Sequence, residues 1–139
     1  MLGALNFEQT RLLSKFCDGI LLLDEHIVFV SVLSRHGRQL ESKSKGDSAF
    51  MSLTRHELEH VYMQRMLQTQ MIKDFDDKLG KFDAAIIERE FCVEGIFPFY
   101  DGMVLVVSSP NDNVKEVGKK ITKSIKDFNF EIAKASVSC

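Results

Sequence analysis

Two histidines one helical turn apart, with a glutamate directly after the first, stand at His56-Glu57-Leu58-Glu59-His60. The pattern H-E-x-x-H is that of zinc hydrolases, in which the two imidazoles bind the metal and the carboxylate takes a proton from water. It defines one possible function, a zinc-dependent hydrolase with His56 and His60 as ligands and Glu57 as base. A third ligand has to come from elsewhere. His26 and His36 are the remaining histidines, and the spacing of neither, nor of any carboxylate, selects one.

Three features of the same stretch speak against that chemistry. Thr54 and Glu57 form the pattern T-x-x-E, a capping box that turns the glutamate back towards the start of its helix. With Leu58 at 0° and about 100° per residue, Val61, Tyr62 and Ile72 fall near 300°, 40° and 320°, while His56 and His60 fall near 160° and 200°. The histidines therefore project away from the apolar stripe that should face the chain's own sheet. Glu59 also places a charge inside the motif, and Met63 and Met66 stand where the longer form H-E-x-x-H-x-x-G-x-x-H needs a glycine and a third histidine. The reading is non-catalytic, with no catalytic, cofactor-binding or metal residue assigned and the zinc hydrolase kept as an alternative.

Other reactive side chains offer less. Cys17 lies on the apolar stripe of the first predicted helix and Cys92 in a predicted strand, which suits packed thiols better than nucleophiles. Ser108-Ser109 lacks a G-x-S-x-G elbow, and the glycines form neither G-x-G-x-x-G nor a P-loop, so nucleotide hydrolysis has no support.

The methionines of the central helix say more. On the same roughly 100° stepping, Met63, Leu67 and Met71 fall near 140°, 180° and 220°, a second apolar side that one sheet cannot cover. Met66 belongs to the same methionine-rich stretch, and methionine repacks readily against varied surfaces. Met63, Leu67 and Met71 are thus the candidate dimer or partner interface, with a second copy of the chain the simplest occupant.

The elements that position these residues can be read in order. Asn6 caps a helix carrying Leu12, Leu13, Phe16, Cys17, Ile20 and Leu23 at helical spacing. Ile27 to Leu33 is a β-branched strand, Arg35-His36-Gly37-Arg38 a turn, and Gln39 to Lys43 the returning strand. Ser42 to Ser52 reads as a polar loop. The central helix runs from its Thr54 cap to about Leu79, where Gly80 ends it. Three strands follow: one around Ala84 to Ile87, one from Cys92 to Tyr100, and Met103 to Val107, apolar on both faces and so central. Asp101-Gly102 is read as a two-residue hairpin turn with both residues at positive φ, and Pro98 marks an edge position or a bulge. Asn113 caps a closing helix whose stripe is Val114, Val117, Ile121, Ile125, Phe128 and Ile132.

The order α-β-β-α-β-β-β-α predicts an α+β fold, a five-stranded mainly antiparallel sheet with helices packed on it, in one domain spanning 1–139. The chain has 18 basic and 20 acidic residues, a formal charge of -2. That gives no global attraction to nucleic acid or to an anionic membrane. Arg35, His36, Arg38, Lys43 and Lys45, and a second set of lysines on the last helix, read as solvated surfaces diluted by nearby acids. The three cysteines, Cys17, Cys92 and Cys139, are widely spaced, and no apolar run is long enough to span a bilayer. The expected location is the cytoplasm.

This order resembles the roadblock light-chain fold, a profilin-like module related to longin and PAS-like domains. Ala85-Ile86-Ile87-Glu88-Arg89-Glu90, Ile96-Phe97-Pro98-Phe99, Asp101-Gly102 and Met103-Val104-Leu105-Val106-Val107 also resemble a small uncharacterised archaeal family. The roadblock resemblance implies a non-enzymatic homodimer joined through the central helix and the strand after it. Such a homodimer would scaffold or regulate partners such as small GTPases or other signalling proteins. The PAS-like kinship implies instead a small-molecule sensor.

Overall fold

Asn6 opens the first helix, α1 (Phe7–Leu21), with a reciprocal cap: its side chain accepts from the Gln9 N–H at 2.8 Å, and its own N–H donates to Gln9 Oε1 at 3.1 Å. The computed structural model describes residues 5–138, with side chains to residue 129. Leu13, Phe16, Cys17 and Ile20 form the buried face of α1, and the Lys45 ammonium donates to the Leu21 and Asp24 carbonyls where the helix ends. Two strands follow, β1 (Ile27–Leu33) and β2 (Gln39–Ser44). Gly37 in the turn between them has φ +77°, a left-handed conformation that glycine adopts without strain.

The segment read as a polar loop contains a short 3₁₀ turn, Ala49–Ser52, whose Phe50 is buried and stacks obliquely near Phe29. Helix α2 (Arg55–Lys73) then begins at Thr54. It does not continue to Leu79. Its last bonds tighten to the i→i−3 kind, from the Asp74 N–H to the Met71 carbonyl and from Phe75 to Ile72, and Phe75 leaves the helical region. A separate turn, α3 (Asp76–Leu79), follows and ends at Gly80, φ +92°. Asp76 Oδ1 there accepts from the Phe82 N–H at 3.1 Å, tying the turn to the chain that leaves it.

The second half supplies β3 (Ala85–Glu88), β4 (Val93–Phe99), β5 (Gly102–Ser108) and α4 (Val114–Ser138). All four pairings are antiparallel, in the order β2-β1-β5-β4-β3, so β5 is central and buried along its whole length. Pro98 is compatible with an inner strand because β3 pairs only as far as Ile96. The β3-facing side of β4 at Pro98 is therefore open, and no ladder bond is lost. The tight turn is displaced by one residue from the Asp101-Gly102 expectation. Phe99 pairs with Gly102, the loop is Tyr100-Asp101, and Tyr100 alone has positive φ, 55°. Gly102 is required for a different reason: a Cβ there would run into the Leu33 carbonyl of β1.

The sheet is covered on both faces. On one, α1 and α4 bury Leu13, Phe16, Ile20, Val117, Ile121 and Phe128 against Val30, Val32, Phe97, Phe99, Val104 and Val106. The rings of Phe16, Phe99 and Phe128 lie with centroids 4.8 to 5.5 Å apart. On the other, α2 and the 3₁₀ turn bury Phe50, Tyr62 and Met66 against Phe29, Ile96, Met103, Leu105 and Val107. The Ile132 side chain and Cys139, both named from the sequence, lie outside the described residues.

Candidate interaction surface on the central helix

The start of α2 is fixed by its cap. Thr54 Oγ1 accepts from the Glu57 N–H at 3.1 Å, and the Thr54 N–H donates to Glu57 Oε1 at 2.9 Å. The hydrogen bond from the Thr54 backbone N–H first, then the Thr54 hydroxyl beside the carboxylate, with the nearby His56 adding a little, hold the Glu57 carboxyl below its ordinary 4.5. A carboxylate so stabilised is a weaker base, and its charge is committed to the helix end. His56 and His60 are exposed, and His60 Nε2 lies 3.5 Å from Gln64 Nε2 on its own helix. His26 is engaged through Nδ1 with Asp24 at 2.8 Å, on the loop after α1. Among the described residues no three His, Cys, Asp or Glu side chains gather as metal ligands.

The side of α2 that meets the sheet differs from the apolar stripe in the sequence. Tyr62, Arg65, Met66 and Thr69 are buried, Leu58 and Val61 half-buried, and Ile72, expected on this side, is exposed. The departure has an electrostatic cause. Arg65 donates through Nε to Glu94 Oε1 at 2.7 Å and through its terminal nitrogen to Oε2 at 3.1 Å, a bidentate pair in which both side chains are almost wholly buried. Arg89, on the turn after β3, donates to the same Oε2 at 3.0 Å from the surface, and Gln68 accepts a further Arg65 N–H. The Thr69 hydroxyl donates to the Arg65 carbonyl, and the Tyr62 hydroxyl to Gln39 Oε1 at 2.8 Å. This cluster, which anchors α2 to β4, was not identified from the sequence. Two signals in the sequence point to it: Arg65 falls near 340° on the helix construction, well inside the sheet-facing stripe, and Glu94 shares its strand face with the apolar Cys92 and Ile96, two positions to either side.

Opposite that anchored side, Met63, Leu67 and Met71 are 46%, 53% and 67% exposed, whereas Met66 is in the core. The apolar exposure continues to Ile72 and to Phe75 and Leu79 beyond the helix end. Two flanks can be told apart. Arg65 reaches β4 and the β3–β4 turn, so Gln68 and Ile72, beside it on the helix, lie on the flank towards the β3 edge. Towards the other edge, the backbone of Met63 comes within 3.4 Å of where a Gly37 Cβ would sit, and Gln70 Nε2 donates to the Arg35 carbonyl at 3.2 Å. An open cleft of about 460 Å³, lined by Phe50, Leu53, Val61 and Cys92 with Arg65 and Glu94 beneath, lies between the first half of α2 and the β3–β4 turn. Cys17 and Cys92 are buried, and burial above all pushes the Cys17 thiol up to about 12 and raises that of Cys92, which makes neither a ready nucleophile.

A sheet in this order, with α2 alone on one face and α1 and α4 on the other, can be compared with known proteins. The chain belongs to DUF6659, a family of unknown function, whose model matches residues 11–135. No curated protein matches its sequence significantly. Solved roadblock domains do match this DUF6659 member in fold. Myxococcus xanthus MglB superposes with a TM-score of 0.71 over 96% of each chain at 12% identity. A Roadblock/LC7 domain from Streptomyces avermitilis gives 0.66 over 86% of this chain and 97% of that one at 10% identity. The gliding protein MglB of Thermus thermophilus gives 0.62 over 94% and 96% at 14% identity. The α+β fold expected from the element order is the roadblock fold. No helix among the described residues of this DUF6659 chain is long and apolar enough to cross a membrane.

Proposed function

We propose that this chain is a non-enzymatic, cytoplasmic, homodimeric interaction module that scaffolds or regulates a signalling protein of the small-GTPase kind. The observation that carries the reading is the continuous apolar exposure of α2 on the sides its own sheet does not cover, in a fold shared with roadblock domains. Isolated exposed apolar residues are ordinary, but a run from Met63 through Leu67, Met71 and Ile72 on α2 to Phe75 just past its end is the signature of a contact surface. The outer edge of β3 is also without a strand partner among the described residues. A free edge strand beside an apolar helix flank is a surface that a second copy can continue across a two-fold axis. In this reading Met71, Ile72 and Phe75 meet the second copy, and Met63 and Leu67 are left for the partner.

Sedimentation equilibrium at micromolar concentration is the test. A dimer is expected, and the doubly substituted Ile72→Asp, Phe75→Asp chain should sediment as a monomer with an unchanged circular dichroism spectrum, because both side chains are exposed in the single chain. A wild-type monomer would overturn the dimer.

A further inference from the structure

The flank of α2 that faces away from the β3 edge carries a feature that the homodimer does not use. The tip of the β1–β2 hairpin presents Arg35, His36 and Arg38, all exposed, directly beside the methionine ridge. The tip is rigidly built. The Ser34 N–H donates to the Arg38 carbonyl at 2.9 Å, the Gly37 N–H to the Ser34 carbonyl at 2.9 Å, and the His36 and Arg38 N–H groups to Ser34 Oγ, each at 3.3 Å. It is also fixed to the helix, through the close approach of Gly37 to Met63 and the bond from Gln70 to the Arg35 carbonyl. The backbone that carries the two arginines is therefore held beside Met63.

Arg35 Nε donates to His36 Nε2, and no ion pair shown among the described residues involves Arg35 or Arg38. On α2, Glu59 is paired with Arg55 at 3.4 Å, and Glu41 of β2 acts on Cys17 beneath α1. A cationic rim bordering an exposed apolar ridge is complementary to a surface with the opposite arrangement: an apolar stripe with carboxylates along one side.

We infer that the ridge of Met63 and Leu67, rimmed by Arg35 and Arg38, docks an acidic amphipathic segment of a partner protein. This rests on the reading of the chain as an interaction module rather than an enzyme. Protein is favoured over nucleic acid or an anionic membrane because the ridge itself is methionine and leucine, only two guanidiniums border it, and the whole chain carries a net charge of -2. Methionine supplies an adaptable apolar contact, and the arginines set which face of the incoming segment is accepted.

The test is fluorescence anisotropy of the full chain with two labelled amphipathic helical peptides, identical in their leucine stripe but flanked on one side by glutamates or by lysines. Sedimentation of the same samples reports the dimer separately. The glutamate peptide should bind at least about tenfold more tightly than the lysine peptide, weaken as salt rises, and lose about tenfold in affinity for the doubly substituted Arg35→Glu, Arg38→Glu chain, which should invert the preference. Leu67→Asp should abolish binding of both. Equal affinity for the two peptides, or unchanged binding by the charge-reversed chain, overturns the inference even if the dimer is present. The same holds if anionic vesicles or duplex DNA bind through Arg35 and Arg38 while the glutamate peptide does not. A monomer that still prefers the glutamate peptide overturns only the dimer.

Discussion

Glu57 and Glu94 are opposites. Glu57 sits in a motif that spells metal chemistry, yet it is fully solvated and its carboxylate closes the first turn of α2 by accepting from the Thr54 N–H, while its own N–H donates to Thr54 Oγ1. Glu94 sits in no motif, yet it is inaccessible to solvent and receives three bonds from two guanidiniums. The first carboxylate holds a helix end, and the second holds the whole helix to the sheet. What separates them is surroundings. In water a carboxylate gains little from a partner, whereas a buried one must be fully paired or it destabilises the fold.

The contrast is sharpest if Glu94 is removed. Glu94→Ala leaves the Arg65 guanidinium buried without its partner and should destabilise the protein by about 3–5 kcal/mol, measured by urea unfolding. Arg89→Ala should cost no more than about 1 kcal/mol, because Arg89 touches the same carboxylate from solvent. If the two variants were equally mild, Glu94 would not be the anchor of α2. Replacing both buried partners, Arg65→Met with Glu94→Leu, should recover most of the stability lost in Glu94→Ala, since the penalty lies in the orphaned charge rather than in the absent pair.

The same contrast explains what could be read in advance. The five strands, their antiparallel order and the main helical and hairpin boundaries follow from periodicity and turn residues, and the roadblock layout follows from that order. The caps at Asn6 and Thr54 were legible because capping is a local rule. What was not legible depends on contacts distant in sequence. Arg65 and Glu94 are 29 residues apart, and an apolar stripe cannot announce a buried ion pair. Gly102 is a glycine because of Leu33, across the sheet on β1, which is why turn chemistry alone misplaces it. The end of α2 at Lys73 follows from a local tightening and from the bond of Asp76 with Phe82, and Gly80, though a sound helix stop, ends the short turn instead. Exposure of Met63, Leu67 and Met71 followed correctly from helix phase, and the placement of Ile72 did not, because the buried stripe is centred on polar residues.

A smaller effect belongs to the capping partner. Thr54→Ala removes the acceptor for the Glu57 N–H and should cost about 1 kcal/mol, the usual loss for an N-cap hydroxyl, again by urea unfolding. A loss as large as that of Glu94→Ala would mean that Thr54 does more than cap.

The smallest effect tests Glu57 itself. Its carboxyl is held below 4.5 in the folded chain, chiefly by the Thr54 backbone N–H. A depressed folded-state value means the unfolded chain takes up the proton first. The contribution to stability is therefore full above the unfolded value, near 4.5, and is lost as pH falls through the lower folded value. Glu57→Gln keeps the reciprocal cap, because an amide oxygen accepts the Thr54 N–H as a carboxylate does, but cannot titrate. Against wild type it should unfold at nearly the same urea concentration at about pH 7 and show a slightly shallower loss of stability between about pH 5 and 3. A zinc hydrolase would answer differently: the glutamine variant would lose hydrolysis at neutral pH, where its stability is unchanged. Parallel assays of unfolding and of peptide hydrolysis at neutral pH thus separate a glutamate that caps a helix from one that activates water.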